Sequence, residues 1–167
     1  MILRCTKKLL DLIEFRPRDL RTAPAADDDW YANLLWLDRR KCLLLAHAGT
    51  LFSVLVPDVH KAGLLPIGRV VVGSIDRALD SENLTRGRLG NFDANSVELA
   101  ATVNRAVLGY MNEMARYCNY ALTAQGGFER IDFDSLNRQL RRELHLSRHA
   151  PGFFVPIELA QRSNTWS

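Results

Sequence analysis

The apolar stretch from Trp30 to Val56 constrains the fold of this chain more than any other feature. It divides into three predicted strands and two turns: strands 30–37, 42–47 and 51–56, and turns 38–41 and 48–50. Strands joined by such short connections pair antiparallel, so the sequence predicts a three-strand meander. The last two strands are apolar on both faces. A strand of this kind is covered from both sides or lies at an interface.

The spacing of apolar residues predicts the elements on either side of the meander. An N-terminal strand is expected at 2–6, followed by a short helix at 7–13 with Thr6 as its N-cap. A loop is expected at 81–94. Three further helices are predicted: 69–80, from Asp134 or Ser135 to Leu146, and 156–162.

Residues 95–124 fit two alternatives. In the first, one long helix carries a regular apolar stripe that includes Asn104. In the second, a strand at 96–101 precedes a helix that begins at Thr102 or Asn104, both of which are good N-caps. We favour the second alternative because it removes Asn104 from the buried stripe. The pair Gly126–Gly127 is expected to end the helix.

Together these elements predict one α+β domain over residues 1–167. Its mainly antiparallel sheet is built on the meander at about 30–56 with an N-terminal strand, and two or three helices pack on it. A chain of 167 residues is long enough to bury a core. Hydrophobic residues make up 47% and charged residues 25%, which argues against disorder over most of the length. Loop 16–29 and tail 163–167 are the expected disordered segments.

The cysteines and the apolar runs bear on the cellular compartment. Cys5, Cys42 and Cys118 are far apart and include no CxxC pair, which favours buried free thiols in a reducing cytoplasm over disulfides or a metal site. Apolar runs stay far below the ~20 residues of a membrane span. We therefore expect a cytoplasmic protein without a metal, a cofactor or a membrane partner.

Three sequence motifs stand out together: RCTKKLL at 4–10, WYANLLWLDRRKCLL at 30–44 and NRAVLGYMN at 104–112. They resemble an uncharacterised bacterial domain family, one of the domains of unknown function, over most of residues 1–124. The resemblance implies a bacterial protein with a strand before the helix at Asn104. It also points to open reading frames of plasmids and transposons. It implies no activity, ligand or catalytic residue.

A polar stripe on the helix after Asn104 is the first candidate binding surface. Its members follow spacings of four and three residues and share one helix face: Arg105, Gly109, Asn112, Arg116 and Asn119. A glycine in mid-helix lowers stability by roughly 0.5–1 kcal/mol relative to alanine, so we expect Gly109 to serve a purpose that a larger residue would not. Two reasons remain open. Either Gly109 packs closely against another backbone, or a ligand approaches there and Arg105 and Arg116 donate to its carboxylate or phosphate.

Basic side chains form a second candidate surface, a contact patch for phosphates or an acidic partner: Arg39, Arg40 and Lys41, with Arg138, Arg141 and Arg142. We expect the three residues of the C-terminal helix to form an exposed stripe. The alternative is an ordinary solvated surface, because 19 acidic residues offset 22 basic ones. The formal net charge of +3 is too small to predict nucleic-acid binding by itself.

Catalytic patterns are weak in this sequence. It contains no Gly-x-Ser-x-Gly, and the histidines are scattered at His47, His60, His145 and His149. The acidic triplet 27–29 is expected in a solvated loop. The favoured function is a non-enzymatic bacterial binding or assembly module with an unidentified protein partner. A nucleic-acid-associated protein of a plasmid, transposon or other mobile element is the alternative, and an enzyme of unassigned reaction is third.

Overall fold

A computed structural model describes residues 1–147 and 151–163 of the chain. These residues form a five-stranded mixed sheet, a two-stranded sheet and five α-helices. The strands are β1 Ile2–Cys5, β2 Trp30–Leu37, β3 Arg40–His47, β4 Ser53–Val56, β5 Glu98–Ala101, β6 His145–Leu146 and β7 Phe153–Phe154. The helices are α1 Lys7–Leu12, α2 Ile67–Ser81, α3 Arg105–Ala124, α4 Phe133–Leu140 and α5 Pro156–Arg162.

The large sheet has the strand order β4-β3-β2-β1-β5. Its antiparallel part, β2-β3-β4, is the predicted meander. Strand β1 lies between β2 and β5 and runs parallel to both, so the sheet is mixed. Parallel strands need a long connection that returns the chain to the starting end of the sheet, and residues 6–29 supply it between β1 and β2. The α+β class is confirmed, and all five predicted helices are present. Residues of all five lie in the two core clusters, so more helices pack on the sheet than the two or three expected.

Both faces of the sheet are covered, as the apolar meander strands predicted. On one face Leu43, Leu45 and Phe52 lie in a core cluster with residues of α2 and α5. On the other face Leu44 and Leu55 lie in a cluster with residues of α3 and α4. The arrangement is therefore three layers, with the sheet in the middle.

The first turn of the meander is shorter than predicted, and the second is longer. Only Asp38 and Arg39 lie outside the strands at the first turn, with φ values of 48° and 63°, so Arg40 and Lys41 belong to β3. Two consecutive residues with positive φ suit a two-residue hairpin, because the twist of such a turn matches that of the strands. At the second turn Leu51 also has a positive φ, 58°, so β4 begins at Ser53 and not at residue 51.

The second alternative for residues 95–124 is confirmed. Strand β5 ends at Ala101, and α3 begins after Asn104. The Asn104 side chain accepts hydrogen bonds from the backbone N–H groups of Ala106 and Val107, at 2.9 and 3.3 Å. The chain leaves α3 through Gly126 and Gly127, whose φ values are 87° and 103°. These are left-handed conformations that glycine adopts without steric cost.

The C-terminal elements differ in part from the prediction. Helix α4 begins at Phe133, with Asp132 as its N-cap, instead of at Asp134 or Ser135, and it ends at Leu140 instead of Leu146. Leu144, predicted on its apolar stripe, is 61% exposed. Helix α5 has the predicted bounds, 156–162. Thr6 occupies the N-cap position of α1 but donates its hydroxyl hydrogen to Asn33 instead of capping the helix.

The loop between α1 and β2 is bound to the sheet by Arg4, which is 1% exposed. Its guanidinium lies 2.5 Å from the Asp29 carboxylate, and it donates to the backbone carbonyls of Ala23, Pro24 and Ala101. Asp29, expected in a solvated loop, is 2% exposed, so that expectation is wrong. The single domain and the disorder of 16–29 stay predictions, and residues 164–167 of the tail lie outside the described residues.

The three cysteines are free and buried, as predicted. Burial raises the thiol pKa of Cys42, and it raises those of Cys5 and Cys118 to about 12. At neutral pH they are therefore protonated and unreactive. Within residues 1–147 and 151–163, no helix is both long and apolar enough to cross a bilayer.

Phe52 tests the packing of the meander. Its side chain is fully buried and lies under the Arg141 guanidinium, 5.1 Å from the ring centroid. We expect Phe52→Ala to lower the free energy of unfolding by about 3–5 kcal/mol, measured by urea denaturation, because it leaves a cavity in the core. Tyr120→Ala is the control, because that side chain is 73% exposed. Equal effects of the two changes would contradict the core assignment.

His47 predicts a dependence of stability on pH. Burial lowers the pKa of His47 from 6.5 to about 4, despite the nearby aspartates that raise it. The unfolded chain therefore binds more protons in this range, and stability falls as the pH drops from 6.5 towards 4. We expect a loss of about 3 kcal/mol from this group. Urea denaturation of wild type and of His47→Gln at both ends of this pH range isolates the contribution of His47. Equal losses of stability in the two proteins would contradict the assignment.

Candidate functional site

A cleft of about 470 Å³ opens at the edge strand β4, between α2 and α4. We call it the β4 cleft. It forms because the two helices pack on opposite faces of the sheet and β4 ends the sheet between them. Its lining comes from β4 and the residue after it, from α2, and from α4 and the residue after it: Val54, Leu55, Val56, Pro57; Ser74, Arg77, Ala78, Ser81; Phe133, Asp134, Asn137, Arg138, Arg141.

The backbone of β4 is already paired on its outer side. Asn137 acts as a substitute strand: it accepts from the Leu55 N–H at 2.7 Å and donates to the Leu55 carbonyl at 2.9 Å. The Ser53 carbonyl accepts from Arg141 at 3.2 Å, and Pro57, next on this edge, has no N–H to offer. An incoming strand therefore cannot pair with β4 while α4 is in place.

A buried ion cluster joins the ends of the two walls. The Glu82 carboxylate binds Arg141 at 2.9 Å and Arg142 at 2.6 Å. Burial raises the pKa of Glu82, but the hydrogen bonds from the two arginines outweigh this effect and hold it below its ordinary value. The predicted exposed stripe is therefore wrong for Arg141, which is 2% exposed. Arg141 is the C-cap of α4 and keeps a helical backbone, with φ −74° and ψ −13°, so it lies one turn after Asn137 on the same inward side of the helix.

Two other arginines lie on opposite walls of the cleft and are exposed. Arg77 on α2 donates to the Ser74 hydroxyl at 3.2 Å, and Arg138 on α4 donates to the Asp134 backbone carbonyl at 3.4 Å. Neither forms an ion pair with any residue in the described part of the chain. The lining contains three arginines and one aspartate, which gives a formal charge of +2.

Two of the three basic residues at 39–41, the rest of the predicted basic patch, contact partners of their own. Arg40 pairs with Asp58 at 3.2 Å and also with Glu129, and its guanidinium lies 4.9 Å from the centroid of the Phe128 ring. Lys41 lies over the ring of Trp36 at 5.2 Å, whereas Arg39 is exposed in the hairpin turn. A contact role for these residues stays a prediction.

The polar stripe on α3 lies on its solvent side, opposite the buried residues of the helix. Four of its members are exposed and Gly109 is half-buried. Asn119 donates to the Ala115 carbonyl at 3.0 Å, a bond within the helix. The stripe does not line the β4 cleft. Its role in binding stays a prediction.

One feature of the sequence, a polar residue on the inward side of α4, could have indicated the cleft. Asn137 falls on the inward side of α4, between Phe133 and Leu140 at spacings of four and three, where an apolar residue would be expected. A polar residue at such a position needs a buried partner. No local pattern connects it with Arg77, because the two walls are far apart in the chain.

Asn137→Asp tests the closure of the β4 edge. The aspartate side chain has the shape of the asparagine, but it has no N–H to donate to the Leu55 carbonyl, and its negative charge repels that carbonyl oxygen. We expect the free energy of unfolding to fall by about 1–3 kcal/mol in urea denaturation. Gln139→Glu makes the same chemical change on the exposed side of α4 and should have little effect. If both variants unfold at the same urea concentration as wild type, Asn137 does not hold the edge.

Comparison with known proteins agrees with the resemblance of the sequence motifs. A family model described as Domain of unknown function (DUF6933) matches residues 2–159. Searches of curated proteins and of solved structures gave no match. Since the match covers nearly the whole chain, the protein belongs to the family Domain of unknown function (DUF6933).

Proposed function

We propose that this domain is a non-enzymatic binding module whose β4 cleft takes an acidic segment of a protein partner. One observation carries the proposal: Arg77 and Arg138 lie on opposite walls of the cleft without an ion-pair partner among the described residues. Other arginines of the same region are paired with carboxylates: Arg86 with Asp76, and Arg141 and Arg142 with Glu82.

The side chains of the cleft suit a ligand in which an anionic group lies next to an apolar group. A guanidinium presents several N–H donors, and its bonds to a carboxylate are stronger than neutral hydrogen bonds. Charges attract more strongly at the wall of a cleft than in open solvent, because less water screens them. The half-buried side chains of Val56, Pro57 and Phe133 give a ligand apolar surface beside the charged walls.

The hydroxyl groups of the cleft favour binding over catalysis. Ser74 accepts from Arg77, and Ser81 donates to the Ala78 carbonyl at 2.8 Å. Neither is paired with a histidine, and within residues 1–147 and 151–163 the cleft lining contains no histidine or cysteine that would act as base or nucleophile. The buried free thiols and the family resemblance support a cytoplasmic protein of bacterial origin.

A synthetic acidic peptide tests the cleft. The probe is a fluorescein-labelled peptide of about eight residues that alternates glutamate and leucine, with binding followed by fluorescence anisotropy. We expect the double variant Arg77→Glu, Arg138→Glu to weaken binding by about tenfold or more, because both charged contacts become repulsive. Binding to wild type should also weaken with added salt.

The matched control carries the same charge change on α3: Arg105→Glu with Arg116→Glu. It should bind like wild type. Equal losses in both double variants would show attraction by net charge alone and contradict the proposal. A loss confined to the α3 variant would assign binding to the polar stripe of α3 instead.

A further inference from the structure

We infer that the anionic group selected by the β4 cleft is a phosphomonoester. This inference rests on the proposed function and names the chemistry of its ligand. It depends on three properties of the cleft: its charge, the arrangement of its donors, and the paired backbone of β4.

The charge of the cleft matches a dianion. Three arginines and one aspartate line it, a formal charge of +2. Glu82 pairs with Arg141 of the lining and with Arg142. Including Glu82 and Arg142 leaves the formal charge at +2, because their charges cancel. A phosphomonoester carries about −1.5 to −2 at pH 7, whereas a carboxylate carries a single charge. A lone carboxylate would therefore leave positive charge uncompensated in the cleft.

The donors come from two walls. Arg77 and the Ser74 hydroxyl, which accepts from Arg77 and keeps its own hydrogen to donate, belong to α2, whereas Arg138 belongs to α4. A planar carboxylate is well matched by the fork of a single guanidinium. A phosphomonoester has three terminal oxygens in a tetrahedral arrangement and can accept from both walls at once.

The edge of β4 adds no competing source of affinity. Asn137 and Arg141 already pair with the outer polar groups of Leu55 and Ser53. An extended peptide therefore gains no strand pairing in the cleft, and its charged group determines affinity and selectivity.

Three labelled peptides that differ at one position test the inference: phosphoserine, glutamate and unmodified serine. We expect the phosphoserine peptide to bind about tenfold more tightly than the glutamate peptide, and the serine peptide not to bind. Lowering the pH from about 7.5 to about 5.5 should weaken only the phosphoserine peptide, because the second phosphate pKa is about 6. The glutamate peptide controls for any effect of pH on the protein itself; the acidic and histidine side chains nearest the phosphate are Asp134 in the cleft lining and the Asp58–His60 pair beyond Pro57.

Variants separate the cleft from the rest of the surface. Arg77→Gln and Arg138→Gln should each reduce affinity for the phosphoserine peptide several-fold, whereas Arg18→Gln, at an exposed arginine outside the cleft lining, should not. Free O-phosphoserine, used as a competitor, distinguishes the source of the group. If it competes as well as the phosphopeptide, the phosphomonoester chemistry holds, but the ligand is a small molecule instead of a protein segment.

The remaining outcomes overturn the inference in distinguishable ways. Equal, pH-independent binding of the glutamate and phosphoserine peptides would refute phosphomonoester selectivity and leave the proposed function standing. Binding of neither peptide would refute both. Tighter binding of a single-stranded oligonucleotide that carries only phosphodiesters would refute both and assign the cleft to nucleic acid.

Discussion

The buried Arg4–Asp29 ion pair is the contact on which the arrangement of the sheet depends. Arg4 lies in the middle of β1, which pairs in parallel with a strand on each side. Parallel pairing with β2 requires the chain to cross back outside the sheet, and Arg4 holds that crossover through Asp29, Ala23 and Pro24. A buried guanidinium is tolerated because its donors are satisfied by one carboxylate and three carbonyls. Loss of either charge would leave the other buried and unpaired.

A second set of polar contacts makes the β4 cleft. Asn137 and Arg141 pair with the outer edge of β4, and Glu82 ties Arg141 to the end of α2. These contacts do two things at once: they cover an exposed sheet edge, and they fix the separation of the two helical walls. Because the edge is covered by side chains and not by a strand, space remains between the walls for a ligand.

Four arginines of this domain illustrate two different environments. Arg4 and Arg141 are buried, paired with carboxylates and bonded to backbone carbonyls, so they stabilise the fold. Arg77 and Arg138 are exposed at a concave surface and have no carboxylate partner in the described part of the chain. The same residue type serves structure in one place and is available for recognition in the other, and only burial and pairing distinguish the two.

The sequence by itself determined the elements whose signals are local. The apolar run before the turn at Asp38 placed β2, the preference of Asn104 for the N-cap position separated β5 from α3, and Pro156 marked the start of α5. Only the tertiary structure decided the parallel position of β1, the burial of Arg4 and Arg141, and the existence of the cleft. The physical reason is sequence separation. Periodicity and capping involve residues within one or two turns, whereas Arg141 meets Glu82, and Asn137 meets Leu55, across dozens of residues. Whether an arginine is buried or free depends on what folding brings beside it.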